Sequence, residues 1–550
     1  MTIESPIPSN GYSLPFIEPH TAPLLVVGSF LYLLNVVHGL FQLLFGAGLV
    51  GQLVLGAVYC APLGDILPAY IQTSIGAIGY WGLLLLIVEG GLGTRFDILS
   101  ERNNLILCVL VASTGICLPM GLSILVLYFG YQYAILESFI IGAALSATSL
   151  GTTIAIMSSF SIRAPDSGPE SDVTEDDRST LSRKSNNIGD TRAGAILMGA
   201  AVLDDIPGLV ISSVVSNLGS SNATSNLSAW EIARPIVSSI ATLLVTALLA
   251  KYIVPVFVER LPSKPPHNPK CLQDSKNTPK MELDRESNQE PRPWYDRLPL
   301  FIRFQFPNVA LFLFIVVISI YVTIADYIGS SRLIGAFCAG SLMSHSWKLI
   351  CQRTKCDPDA SWSPHVSFER IAPIQNYILA PFFFASIGAA IPVRSLFQST
   401  TAWRGIVFSA LMVTAKLLAG GWLPIWAVFE RWSLRREHNR VTHPEATLST
   451  NISTTTTSAT TPATTPSWPA GLLVGFALVT RGEIGLLILN IAKTQELVHD
   501  EGFSVGIWAV VLSTLIGPIG VGTLLRIRVV RNWISGKPWG LQDSEIESKS

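Results

Sequence analysis

Apolar stretches, each long enough to cross a membrane or nearly so, recur along this chain and limit the medium in which it can fold. A bilayer core of about 30 Å needs roughly 20 apolar residues in a helix. Runs of that kind lie near 24–45, 46–62, 74–92, 104–128, 136–160, 192–216, 231–255, 306–326, 332–348, 371–391, 404–428, 469–493 and 504–526. They predict about 13 transmembrane helices, the second and ninth being short. Only 14% of residues are charged and mean hydropathy is +0.46, against about 25% charged in soluble domains. A chain so poor in charge would expose large apolar patches in water. In lipid each segment must satisfy its own backbone hydrogen bonds, so the expected class is an all-α polytopic membrane protein. The first stretch follows a segment without Lys or Arg and lacks a small-residue cleavage pattern, so it reads as a helix and not as a signal peptide.

Charge orients the set. With residues 1–23 outside (extracellular or lumenal) and the helices alternating, about 30 of the 37 Lys and Arg fall on the cytoplasmic side. The loops at 93–103, 161–191, 256–305, 349–370 and 429–468 and the cytoplasmic tail 527–550 carry them. The outward loop at 217–230 holds two glycosylation patterns, Asn222-Ala-Thr and Asn226-Leu-Ser, which agree with that orientation. A third, Asn451-Ile-Ser, falls on the cytoplasmic side and should stay unused. Residues 161–191, 262–293 and 441–467 are polar and compositionally biased, too poor in apolar side chains to build a core. No catalytic or nucleotide-binding domain fits, and the absence of a Walker-type loop argues against ATP-driven pumping by this chain. The chain reads as a non-enzyme. A net charge of −1 gives no pull toward nucleic acid. The cysteines show no zinc or disulfide spacing, and no cofactor is expected.

Thirteen helices divide as six, one and six, and an odd linking helix makes the second set run opposite to the first, as in inverted-repeat secondary transporters. The fifth stretch contains Ser146-Ala-Thr-Ser-Leu-Gly-Thr-Thr153 and the twelfth contains Thr480-Arg-Gly-Glu-Ile-Gly485. Gly and hydroxyl residues in matching positions of the two halves predict two broken helices meeting at a midplane site; close packing by small residues is the structural alternative. Charges inside spans are few: Asp204, Asp205, Lys416, Arg481, Glu483 and, toward the end of its helix, Glu89. Such residues are costly and mark function. Two adjacent aspartates in a nonpolar helix cannot both ionise cheaply, since desolvation and repulsion oppose it. A carboxyl in that position exchanges a proton for a cation: protonated it is neutral, ionised it offers hard oxygen ligands. Adjacent residues point about 100° apart on a helix, so one aspartate is expected to bind the ion and the other to pair with a cation such as Lys416. Pro207 and Gly208 follow the pair and should weaken the helix there. A buried salt-bridge network that only clamps helices is the competing reading. Glu89 could equally be a headgroup-level charge near Arg95, and His38 reads as a packed or dimer-interface histidine.

Six segments in order resemble the monovalent cation:proton antiporter superfamily, in the paired-aspartate branch that includes sodium/proton antiporters. They are Gly142-Ala-Ala-Leu-Ser-Ala-Thr-Ser-Leu, Ala201-Val-Leu-Asp-Asp-Ile-Pro-Gly-Leu, Leu333-Ile-Gly-Ala-Phe-Cys-Ala-Gly, Ala380-Pro-Phe-Phe-Phe-Ala-Ser-Ile-Gly, Ala415-Lys-Leu-Leu-Ala-Gly and Thr480-Arg-Gly-Glu. The resemblance implies the sodium/proton antiporter fold. Helices 4–6 (104–216, with the 161–191 insertion) and 11–13 (404–526, with the 429–468 loop) would form a mobile ion-transport core. Helices 1–3 (24–92) and 8–10 (306–391) would form a dimerisation scaffold, joined to the core by helix 7 (231–255), so a homodimer is implied. Asp205 would be the main ion and proton carrier. Asp204 would pair with Lys416, and Thr148 would offer oxygen ligands. Arg481 and Glu483 would hold the core together as salt bridges. Glu89 departs from the paired-aspartate pattern and leaves electrogenic and electroneutral exchange both open. The expected activity is exchange of Na⁺ or Li⁺ for protons. The alternatives are K⁺/H⁺ exchange in an internal compartment, a sodium-coupled organic-solute symporter, and a channel or transport-dead sensor. Which membrane holds the chain is left open.

Overall fold

The computed structural model describes residues 20–94, 102–149, 161–162, 186–187, 191–220, 229–259, 300–354, 362–441, 466–527, 529–530, 533 and 539. In chain order the helices are α1 (Thr21–Phe45), α2 (Gly48–Tyr59), α3 (Ala69–Leu92), α4 (Arg102–Ser123, continued by a π-helical turn Ile124–Gly130) and α5 (Ile135–Ala144). There follow α6 (Arg192–Ser220), α7 (Ala229–Leu248, carried through the π turn Leu249–Ile253 to Val254–Glu259), α8 (Leu300–Ile328) and α9 (Arg332–Thr354). The last are α10 (Pro364–Ala389, with a π turn at Gln375–Leu379), α11 (Ser399–Gly420, resumed as Trp422–Val441), α12, whose halves are α12a (Trp468–Val479) and α12b (Glu483–Thr494), and α13 (Asp500–Arg526).

The apolar stretches read from the sequence thus coincide, in order, with helical segments. Ten among the described residues are long and apolar enough to cross a membrane; Gly48–Tyr59 and Ile135–Ala144 are apolar but shorter. Ser161–Ile162 and Asn186–Asn187 pair as a two-residue antiparallel ladder. Asn222 and Asn226 lie outside the described residues, as do 262–293, 442–465 and most of 161–191.

Local chemistry sets several boundaries. Gly46 ends α1 at φ +71°, its N–H returning to Gln42 O and Phe41 O, the left-handed cap that glycine adopts without strain. Ser363 caps α10 through its side chain to Val366 N, with Pro364 at the first helical position. α13 starts on Asp500 and Glu501 and ends on Arg526, each sign matched to its end of the helix dipole. Against expectation, α6 runs unbroken through Pro207. Gly208 serves close approach instead: a Cβ there would stand 3.1 Å from Ala147 Cβ and 3.2 Å from Ile484 Cγ2.

Two groups of helices pack internally. α1–α3 pack with α8–α10, and α4–α6 with α11–α13; α7 lies against α6, α9 and α8. In the first group backbones approach at glycines, as membrane helices do when no hydrophobic force drives them together. Gly79 and Gly82 of α3 meet α10 at Phe383 and Leu379, and Gly388 of α10 meets Leu53 of α2. The His38 ring packs on Gly48 of α2, and Arg332 pairs with Asp326 at 2.8 Å across the α8–α9 turn. A Cβ at Gly79 would lie 2.6 Å from Phe383 N, so Gly79→Val should destabilise the protein by about 1–3 kcal/mol. Thermal unfolding of the purified protein in detergent should register the loss.

Candidate functional site

Two helices end in the middle of the second group and face each other. α5 stops at Ala144, with Leu145 N and Ser146 N still bonded to Ile141 O and Ala143 O at 3.1 Å each; from there to Ser149 the chain is not helical. Residues 150–160, which the apolar pattern also assigned to this span, lie outside the described residues. α12a stops at Val479, and Thr480, Arg481 and Gly482 run non-helically into α12b. The two breaks are tied by the Ser149 N–H donating to Thr480 O at 3.1 Å. Gly482 is needed for the crossing, since a Cβ would stand 2.5 Å from Ser149 Cβ.

Interrupted helices leave bare carbonyls and amides and half-dipoles in a medium that does not solvate them. Arg481, with no exposed surface, donates from Nη1 to Ser146 O at 3.1 Å and Ala147 O at 3.0 Å, at the carbonyl end of α5. Glu483 opens the first turn of α12b, where a negative charge suits the helix dipole, and accepts from Ser149 Oγ at 3.3 Å. Thr514 of α13 donates to Arg481 O at 3.0 Å. The core salt bridges expected at Arg481 and Glu483 are therefore replaced by bonds to backbone and hydroxyl groups. The physical reason is that the helix ends themselves supply the opposite partial charges. No carboxylate pairs with Arg481 among the described residues.

The paired aspartates sit on α6 directly beside this crossing, and the structure treats them differently. Asp204 Oδ2 accepts from Lys416 Nζ and, at 2.6 Å, from Thr148 Oγ1. Lys416 also donates to Ser146 O at 2.5 Å and Thr148 Oγ1 at 3.1 Å, and neither partner of the ion pair is exposed beyond 1%. Gly115 of α4 makes the room: a Cβ there would stand 3.2 Å from Lys416 Nζ and 3.8 Å from Asp204 Oδ1. Asp205 is buried at 4% exposure, and its Oδ1 has no hydrogen-bond partner among the described residues; nor has Asp204 Oδ1. Buried polar atoms are ordinarily satisfied, so two bare carboxylate oxygens beside a broken-helix crossing present hard donors suited to a small cation. The crossing thus brings together Asp204, Lys416 and Thr148, with Asp205 beside them. Glu89 lies on α3 with an exposed side chain, and Arg95 is outside the described residues. Gly115 and the Ser146 carbonyl were not singled out from the sequence. A glycine in an apolar helix signals close packing without saying onto what, and a backbone carbonyl leaves no mark in composition.

An all-helical membrane fold with two interrupted helices crossing at buried carboxylates defines an ion transporter of the inverted-repeat type. The family described as "Sodium/hydrogen exchanger, transmembrane" matches residues 21–268 and 296–527, and the chain belongs to that family: it is a transporter of cations and protons, not an enzyme. It is similar to a Na⁺/H⁺ antiporter of Enterococcus hirae, 23% identical over 86% of this chain and 89% of that protein. The high-affinity Na⁺/H⁺ antiporter NhaS3 of Synechocystis is 21% identical over 86% of this chain and 76% of that one. Its fold is that of the sodium proton antiporter MjNhaP1 of Methanocaldococcus jannaschii (TM-score 0.52, 12% identity, 93% of this chain and 99% of that one).

Removing one member of a buried ion pair leaves the other charge unmatched. Lys416→Met should cost about 3–5 kcal/mol, read as a lower unfolding midpoint in detergent. Asp204→Asn on the same background should restore part of the loss, because the uncompensated charge is then gone.

Proposed function

We propose that this chain exchanges Na⁺ or Li⁺ for protons by alternating access, with Asp205 as the group that carries each in turn. The observation supporting this reading is the inequality of the two aspartates. Asp204 is neutralised by Lys416 and steadied by Thr148, while Asp205 is buried beside it with no ion-pair partner among the described residues. A proton and a cation exclude each other at one carboxylate. An ionised Asp205 carrying neither is a bare charge in a nonpolar passage and resists translocation. The exchanger therefore returns only when loaded.

On this reading α4–α6 and α11–α13 move as the ion-carrying core, and α1–α3 with α8–α10 form the scaffold of a homodimer. The N-terminus lies outside and the tail in the cytoplasm, in keeping with the distribution of Lys and Arg. Thr148 donates its hydroxyl hydrogen to Asp204 and so orients that carboxylate, and beside the bond from Lys416 its oxygen keeps a lone pair for a cation. Lys416 sets the stoichiometry. If it gives up its proton when a cation binds, two protons move per cation and exchange carries current; if it stays charged, exchange is electroneutral.

The test is flux in proteoliposomes loaded with a pH-sensitive dye, with Na⁺, Li⁺ and K⁺ added in turn. Na⁺ and Li⁺ should drive proton movement, and Asp205→Asn should abolish it. Full activity in that variant rejects the assignment, and a response to K⁺ alone favours the K⁺/H⁺ alternative. Transport current on a solid-supported membrane, compared between the native protein and Lys416→Gln, distinguishes the two stoichiometries.

A further inference from the structure

A cavity of about 480 Å³, well within the range of ligand pockets, lies between α6, α7 and α9. Val202, Leu203 and Ile206 of α6 form one wall; Phe337 and Cys338 of α9 form another. Leu243 and Ala247 of α7 continue it toward Lys251, in the π turn of that helix. The hydroxyls on its surface are turned to backbone: Thr246 donates to Thr242 O at 2.8 Å, Ser341 to Gly91 O at 3.3 Å, and Thr94 to Gly90 O at 3.1 Å. Most of the remaining wall is apolar.

Lys251 is the one lysine or arginine among its lining residues, and His345 of α9 is the other basic side chain there. Lys251 is exposed, lies 5.5 Å from the Tyr252 ring, and has no carboxylate partner among the described residues. From Leu243 to Lys251 the helix rises about 12 Å. The cavity therefore runs from apolar depth to a cation beside an aromatic ring, the pairing found where a membrane protein meets the headgroup layer. Ala247 and Lys251 are exposed, so the opening is on the α7 side, where Leu244, Leu248 and Tyr252 are exposed as well.

We propose that this cavity binds one acyl chain of an anionic membrane phospholipid, with its phosphate at Lys251. The occupant is argued from charge and place. A membrane-spanning family puts hydrocarbon against the α7 opening, and a lone lysine at the rim selects a negative headgroup. A chain seated there touches the residues that flank Asp204 and Asp205 on α6 and, opposite, the α9 wall. It is thus wedged between the two groups of helices, and its occupancy biases how they sit together.

The experiment is native mass spectrometry of protein extracted from phosphatidylcholine bilayers with and without phosphatidylglycerol. The native protein should retain phosphatidylglycerol in preference to phosphatidylcholine. Lys251→Gln should retain it about fivefold less, the value of one lysine near an anionic surface, and Ala247→Phe, which fills the cavity, should lose it. Equal retention by the native protein and both variants, or phosphatidylcholine held as well as phosphatidylglycerol, overturns the proposal. Na⁺-driven flux in pure phosphatidylcholine vesicles reports the ion site separately, and Lys251→Gln should leave it unchanged.

Discussion

Two helices that stop halfway through a nonpolar medium must have their ends compensated by the protein itself, and the second group of helices is built around that requirement. Arg481 covers the carbonyl end of α5, Glu483 sits on the amide end of α12b, and Ser149 N–H joins the two breaks through Thr480 O. Lys416 reaches the same carbonyl end from α11 through Ser146 O. Each of these bonds links different helices, so the crossing also locks α5, α6, α11, α12 and α13 to one another. Charge that would be ruinous singly is tolerated because Lys416 faces Asp204, and Arg481 and Glu483 each face a helix end.

Asp205 is where that compensation stops. Lys416 can face one carboxylate squarely, and the helix geometry of α6 gives it Asp204. Thr148 adds its hydroxyl to the same oxygen. What remains is a carboxylate held at the crossing by its helix and left without a fixed cation. That inequality, produced by adjacency on a helix, is what the proposed exchange at Asp205 rests on.

Much of this was legible in the sequence because bilayer thickness and backbone satisfaction act on composition directly. The apolar stretches give the helices in order, and the Gly and hydroxyl residues at 146–153 and 480–485 mark both breaks. The aspartate pair and Lys416 stand out because charge in an apolar run has no bland explanation. What was not legible depends on three-dimensional contact. Arg481 and Glu483 read as a salt bridge because sequence shows side-chain charges and hides helix dipoles. Pro207 read as a weak point, yet α6 passes through it unbroken. Gly115 gives no sign that its missing Cβ admits Lys416, and the apolar wall of the α6–α7–α9 cavity is assembled from residues that each look like ordinary span.

The claim that one carboxylate serves two ions in turn is tested most directly by equilibrium binding. Na⁺ titrations of the purified protein by calorimetry, repeated across pH, should give an apparent Kd that weakens by about tenfold per pH unit wherever Asp205 takes up its proton. Protons should be released as Na⁺ binds. Na⁺ affinity that does not change with pH, with no proton release, would contradict competition at this site.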